Sequence, residues 1–208
     1  MLPEFPPVQD NHTVNGRLIQ REDIMGKKMA AFLAEGFEEA EAIIPIDIAR
    51  RAGIEVTTVS ISNDLSVTGS HGIQVKADAL LRDTDTASFD LLMLPGGMPG
   101  TTNLEGSEAV KEALLKAYGD GRYLAAICAA PRLLGSLGIL DGKKATVYPG
   151  NDAYLAKAGY DREARAVTDG KVITARGMGC AIEFGREIVT ALADENKAKE
   201  VLEAIQFN

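Results

Sequence analysis

Two stretches of this sequence hold side chains that could do chemistry: AAICAAPRLLG, Ala125 to Gly135, and EGFEEAEAIIPIDI, Glu35 to Ile48. In the first, an apolar segment ends on Cys128, turns at small residues and runs into a helical pattern. A thiol at a tight strand-to-helix turn stands at the top of a sheet, as in a nucleophile elbow. Ala126, Ala129 and Ala130 are small enough to permit that bend. A helix N-terminus beside the sulfur favours the thiolate and lowers its pKa. The same residues also suit a buried cysteine that only fills space.

In the second stretch three carboxylates crowd the start of a helix. Phe37, Glu41, Ile44 and Ile48 fall on one helical face by their spacing of four, three and four. Glu41 therefore lies on the apolar stripe. Glu38 and Glu39 read as first-turn acids that suit the helix dipole, with Glu39 away from the stripe. A carboxyl among apolar neighbours has a raised pKa and stays protonated nearer neutrality. In that form it is a hydrogen-bond donor, including toward a thiolate.

The surrounding elements must position these groups. MAAFLAE reads as a buried strand, and EEAEAIIPIDIARRAG as a helix that stops at Gly53. EVTTVSIS is a strand, and GIQVKAD belongs to a small hairpin. FDLLMLPGG and YLAAIC are buried strands. Between them lies SEAVKEALLKAYGDG, a helix with a serine cap and a glycine stop. APRLLGSLG is a helix, ATVY and KVITARG are strands, and CAIEFGREIVTALADENKAKEVLEAIQF closes as one or two helices. Strands without polar alternation, interleaved with helices, predict an α/β fold whose mostly parallel sheet is covered on both faces. Ligands of such sheets gather at the carboxyl ends of strands, where YLAAIC ends.

Composition narrows the classes. The chain has 208 residues, 46% of them hydrophobic and 25% charged, which suits one medium-sized domain. With 22 basic and 30 acidic residues the net charge is -8, and no Lys/Arg cluster offsets it, so neither a nucleic acid nor an anionic membrane is expected as partner. No apolar run approaches the roughly 18 residues that span a bilayer. Two cysteines make no disulfide framework, which suits a reducing cytoplasm. Residues 1–24, rich in Pro and polar groups, read as a tag, leader or disordered extension, and 25–208 as the domain.

The motifs EGFEEAEAIIPIDIARRAG, DLLMLPGGMPGTTNL, AAICAAP and TARGMGCAIEFGREIV together resemble the DJ-1/ThiJ/PfpI superfamily, most of all its bacterial ThiJ-type branch close to human DJ-1. The resemblance runs from about Lys28 to Phe207. It implies a flavodoxin-like three-layer sandwich, like that of the class I glutamine amidotransferases, and a homodimer. It implies Cys128 as the elbow cysteine and Glu41 as its protonated partner. Gly96 and Gly97 would form a loop whose amides face the cysteine and, with the Ala129 amide, make an oxyanion site. It further implies a cofactor-independent, metal-free glyoxalase-type activity on methylglyoxal or glyoxal, or a deglycase activity on glycated protein. The alternatives are a redox sensor or chaperone that oxidises at Cys128, and an amidase or peptidase.

This chain departs from those relatives in ways that bear on mechanism. Ala129 stands where the peptidase-like branch has a histidine, which disfavours peptide hydrolysis. Tyr148 stands where human DJ-1 has a histidine, which leaves proton transfer to Glu41, Tyr148 or water. The two histidines are His12, in the leader, and His71, read as a surface loop residue in a place where relatives commonly put an arginine. Cys180, also at a helix start, reads as structural. Glu183 and Arg176 read as residues that fix the loop.

Overall fold

A computed structural model describes residues 26–207. The segment read as a leader, including His12, lies outside them. In chain order the strands and helices are β1 (Lys28–Leu33), α1 (Glu39–Arg51), β2 (Glu55–Ser60), β3 (Ser66–Thr68), β4 (Gln74–Lys76), β5 (Ala79–Leu80), β6 (Leu91–Leu94), α2 (Gly100–Gly106), α3 (Glu108–Gly119), β7 (Tyr123–Ile127), α4 (Pro131–Ser136), β8 (Lys144–Ala145), β9 (Gly159–Tyr160), β10 (Ala166–Asp169), β11 (Val172–Ala175), α5 (Ala181–Leu192) and α6 (Glu195–Ala204).

Seven strands form the central sheet in the order β10-β11-β7-β6-β1-β2-β5. Every neighbouring pair is parallel except β10 with β11. The strands lack polar alternation because both faces are covered. Along β1, Met29, Ala31 and Leu33 join one core layer with α1, α5 and α6, whereas Ala30 and Phe32 join the opposite layer with α3 and α4. Each fully buried Leu or Phe in these layers is worth about 1.5–3 kcal/mol of burial. The result is the three-layer α/β sandwich that the interleaved pattern predicts.

Local signals end the helices. Glu38 caps α1 by accepting from the Glu41 amide at 2.7 Å, and Gly53 takes a positive φ of 87° just beyond its end. Ser107 caps α3 through the Val110 amide at 3.3 Å. The helices α1 and α5 approach closely at Gly185, where a Cβ would lie 2.8 Å from Ile48 Cδ1. Glycine there lets the two lie side by side on one face of the sheet.

Several elements differ from the sequence reading, which did not single out β5, β9 or the edge strand β10. TTNLEG forms α2, whose period is hidden by the Pro and Gly residues before it. Of ATVY only Ala145 lies in a strand, as the second residue of β8, which pairs with β9 outside the main sheet. The Thr146 amide then donates to the Thr174 hydroxyl at 3.0 Å instead of to a ladder carbonyl, and the chain leaves the sheet there. The helix after Cys128 is only six residues long and starts at Pro131, with a turn over residues 128–130 between strand and helix.

The order of strands sets the location of the chemistry. From β1 the chain crosses through α1 to β2 on one side, whereas β6 and β7 continue the sheet on the other. The loops leaving β1 and β6 diverge at a topological switch point, and β7 ends beside them. Glu41 follows β1, Gly96 and Gly97 follow β6, and Cys128 follows β7.

Candidate active site

Cys128 has φ 64°, in the left-handed region that L-residues avoid. Gln206, at the chain end, is the one other non-glycine with positive φ among the described residues. The conformation costs about 1–2 kcal/mol for a residue with a Cβ. Neighbouring hydrogen bonds hold it: the Cys128 amide donates to the Ala175 carbonyl at 2.9 Å, and its carbonyl accepts from the Tyr148 amide at 2.8 Å. The bend turns the thiol out of the β7 plane toward the loops of β1 and β6.

Glu41 meets it there, only 1% exposed, on the stripe that its spacing from Phe37 and Ile48 predicts. Pro45, four residues on, has no amide to offer the Glu41 carbonyl, so the usual helical bond is missing at this turn. The Glu41 carboxyl shares a hydrogen bond with Cys128 and accepts from the Gly96 amide at 3.0 Å and from the Met178 amide. Burial dominates over these bonds and raises its pKa to about 7.

The thiol moves the opposite way from the sequence expectation. Burial comes first, then the Glu41 charge and its hydrogen bond, and together they push Cys128 up to about 12. The Ala129 and Gly97 amides pull it down, but by less. A helix of six residues supplies too weak a dipole to reverse this. The two acids cannot both be ionised, because adjacent negative charges in a buried site repel. Protonation of Glu41 removes its charge from beside the sulfur and turns the carboxyl into a donor. The pair thus loses one proton near neutrality and shares the one that remains.

The glycine loop divides its amides. Those of Gly97 and Ala129 point at the Cys128 sulfur, whereas that of Gly96 serves Glu41. Glycine is obligatory at both positions of the loop. A Cβ on Gly96 would lie 2.5 Å from Glu41 Oε2 and 2.6 Å from Cys128 Cβ. Gly97 has φ 91° and lies against the backbone of Gly36 to Glu38. The Glu38 amide ties the two loops by donating to the Gly96 carbonyl at 2.9 Å.

Tyr148 arrives through its backbone. Its side chain is 52% exposed, and its hydroxyl bonds neither Cys128 nor Glu41. Cys180 is buried in the turn before α5. Glu183 pairs with Arg165, which also donates to the Gly179 carbonyl, and Arg176 donates to the carbonyls of Arg162 and Glu163. These contacts tie the 161–165 loop to the turn that carries Met178.

Glu39 is the residue that sequence reasoning undervalued. It is 7% exposed, and its carboxylate accepts from the amides of His71 and Ile73 at 2.8 and 3.3 Å and pairs with His71 Nδ1 at 3.0 Å. Burial alone would raise its pKa, but the bonds from the His71 side chain and from backbone amides outweigh burial and bring it to about 2. The His71 ring is exposed, and Glu39 raises its pKa. The residue anchors a loop that lies more than thirty positions ahead in the sequence.

The comparisons with known proteins agree with this geometry. The model of the DJ-1/PfpI family matches residues 27–191. Protein DJ-1 homolog B of Arabidopsis thaliana is 43% identical over 176 residues, 84% of this chain and 40% of that protein. Parkinson disease protein 7 homolog of Danio rerio is 40% identical over 179 residues, 85% of this chain and 95% of that one. A protein of Pyrococcus abyssi named a deglycase is 34% identical over 161 residues, 76% and 95% of the two chains. The chain spans about two fifths of the length of the Arabidopsis relatives that it matches. Among solved structures, Drosophila melanogaster DJ-1beta superposes with a TM-score of 0.84 at 36% identity, covering 88% of this chain and 100% of that one.

Proposed function

The chain belongs to the DJ-1/PfpI family, and from that premise we propose that it is a cysteine-dependent, cofactor-independent enzyme that converts reactive 1,2-dicarbonyls into 2-hydroxyacids. One observation carries the proposal: a thiol held at a strained elbow, hydrogen-bonded to a buried carboxyl that titrates near 7. A relative named a deglycase supports the neighbouring possibility that the site acts on glycated protein.

In this reading the pair reacts in its form with sulfur as thiolate and Glu41 as acid. The sulfur adds to the aldehyde carbon of methylglyoxal, and the carbonyl electrons move to oxygen. The Gly97 and Ala129 amides stabilise the developing charge. Glu41 gives that oxygen its proton, and a hemithioacetal results. Glu41, now a carboxylate, takes the proton from the same carbon while the ketone oxygen takes up a proton, giving an enediol. Glu41 then returns its proton to the neighbouring carbon as the hydroxyl on the sulfur-bearing carbon gives one up. The former aldehyde carbon is oxidised to a thioester while the ketone is reduced to an alcohol, so no external oxidant is needed. Water then attacks the thioester and expels Cys128 as thiolate. The net change is dicarbonyl plus water to lactate.

A second reading rests on the same amides. Oxidation of Cys128 to a sulfinate would place an anion where Gly97 and Ala129 donate and a protonated Glu41 could share its proton, as in a redox sensor. Either activity operates, in this proposal, in a cytoplasmic homodimer. Two free cysteines suit the compartment, and the family resemblance supports the dimer.

The deciding experiment incubates the protein with methylglyoxal without added glutathione and measures lactate. Wild type should form it, and Cys128→Ser should not. Wild type giving no lactate above the Cys128→Ser control, with Cys128 shown to be reduced, would overturn the enzymatic reading.

A further inference from the structure

Three large apolar side chains stand exposed on the three loops that meet at Cys128: Met98 at 53%, Tyr148 at 52% and Met178 at 55%. Each is tied to the pair through its own backbone or its neighbour's. Met98 follows Gly97, whose amide points at the sulfur. Tyr148 donates its amide to the Cys128 carbonyl, and the Met178 amide reaches Glu41. The rim closes on one side: a Cβ on Gly177 would lie 3.3 Å from Tyr148 Cδ2, so the tyrosine ring borders the residue before Met178. Exposed apolar groups gathered around a reactive centre mark a surface that waits for an apolar ligand. Methionine suits such a role, since its flexible thioether adapts to aromatic shapes and contacts ring edges favourably.

We propose that Met98, Tyr148 and Met178 form a specificity rim that selects 1,2-dicarbonyls carrying an aryl or bulky alkyl substituent. The inference rests on the dicarbonyl reading above and names the substrate class of that site. With the aldehyde carbon at Cys128 Sγ, the substituent on the ketone carbon points outward, away from the buried Glu41 and into the rim. A phenyl ring offers these side chains far more apolar surface to cover than a methyl group does. The bonds made and broken are those already described: an arylglyoxal plus one water gives the aryl hydroxyacid.

The test compares phenylglyoxal with methylglyoxal in the full chain, as a ratio of kcat/KM, for wild type and for the double variant Met98→Ser, Met178→Ser. Both positions are exposed, so the variant should keep its melting temperature to within a few degrees. Because apolar contacts discriminate by about 10-fold or more per added group, the wild-type ratio should exceed that of the variant by roughly 10-fold, chiefly through KM. A parallel arm alkylates Cys128 with phenacyl bromide and with bromoacetone, which needs no turnover, and the same ratio should fall in the variant. Equal ratios in wild type and variant overturn the rim. If wild type turns over neither dicarbonyl while bromoacetone still labels Cys128, the dicarbonyl reading itself has failed, and the proposed substrate class falls with it.

Discussion

The amide of Gly96 donates to Glu41 Oε2 at 3.0 Å across 55 positions of chain, and no side chain fits between them. Gly96→Ala would drive a methyl carbon into the carboxyl and into Cys128 Cβ. Because the neighbours are backbone and a buried pair, they have little room to give. The substitution should cost about 1–3 kcal/mol, visible as a lower denaturation midpoint, and should abolish reaction at Cys128 with iodoacetamide. A variant that retains both wild-type stability and labelling rate contradicts the close approach.

The left-handed φ of Cys128 separates two substitutions that chemistry alone would treat alike. Neither Cys128→Ala nor Cys128→Gly has a sulfur, and both should be inactive. Alanine keeps the strain of a Cβ at φ 64°, and glycine removes it. After the extra entropy of glycine in the unfolded chain, the glycine variant should still be the more stable by about 1 kcal/mol. Chemical denaturation of the two proteins reads the difference directly, and a more stable alanine variant would argue that the elbow is unstrained.

Glu41 should make the protein less stable as the pH rises. Its folded pKa of about 7 lies above the ordinary 4.5, so the folded state binds the proton more tightly. Its contribution favours folding most below 4.5 and is lost as the pH climbs toward 7. Replacement by glutamine removes this dependence. The stability of Glu41→Gln relative to wild type should increase between those pH values by up to about 3 kcal/mol. The shift of Glu39 has the opposite sign, with stabilisation lost as the pH falls from 4.5 toward 2, but it is common to both proteins and cancels. A pH-independent difference would show that Glu41 is not held protonated by burial.

Glu39 and His71 report on each other. The His71 ring should titrate above the ordinary histidine value, because the neighbouring carboxylate favours its charged form. Proton NMR of the His71 ring in wild type and Glu39→Gln checks this. The variant should move the ring's titration down toward the ordinary value, with the smaller pull of Glu38, 4.0 Å away, remaining. It should also loosen the loop from Gly69 to Ile73, seen as faster amide exchange at His71 and Ile73. An unchanged titration would mean that the pair is not formed in solution.

Local periodicity alone specified much of this molecule. The runs without polar alternation and the helical periods between them determined a covered parallel sheet, and the spacing of Phe37, Glu41, Ile44 and Ile48 put one carboxyl on a buried face. Small residues around Cys128 announced the bend. These are statements about which side of an element a residue occupies, and a few neighbours in sequence decide them. The remaining features depend on what lies across from that side. The 69–73 loop buries Glu39, although its spacing on α1 points away from the stripe. Thr146 leaves the sheet because Thr174 offers it a hydroxyl, and Tyr148 is thereby brought to the Cys128 carbonyl. The amides of Gly96 and Gly97 part between carboxyl and sulfur because Glu41 reaches one of them from another element. Above all, the sequence pointed to a thiol activated by a helix end. Only the fold decided how deeply that thiol is buried and how close a second acid stands, and in a low-dielectric site those two quantities outweigh the dipole of a six-residue helix.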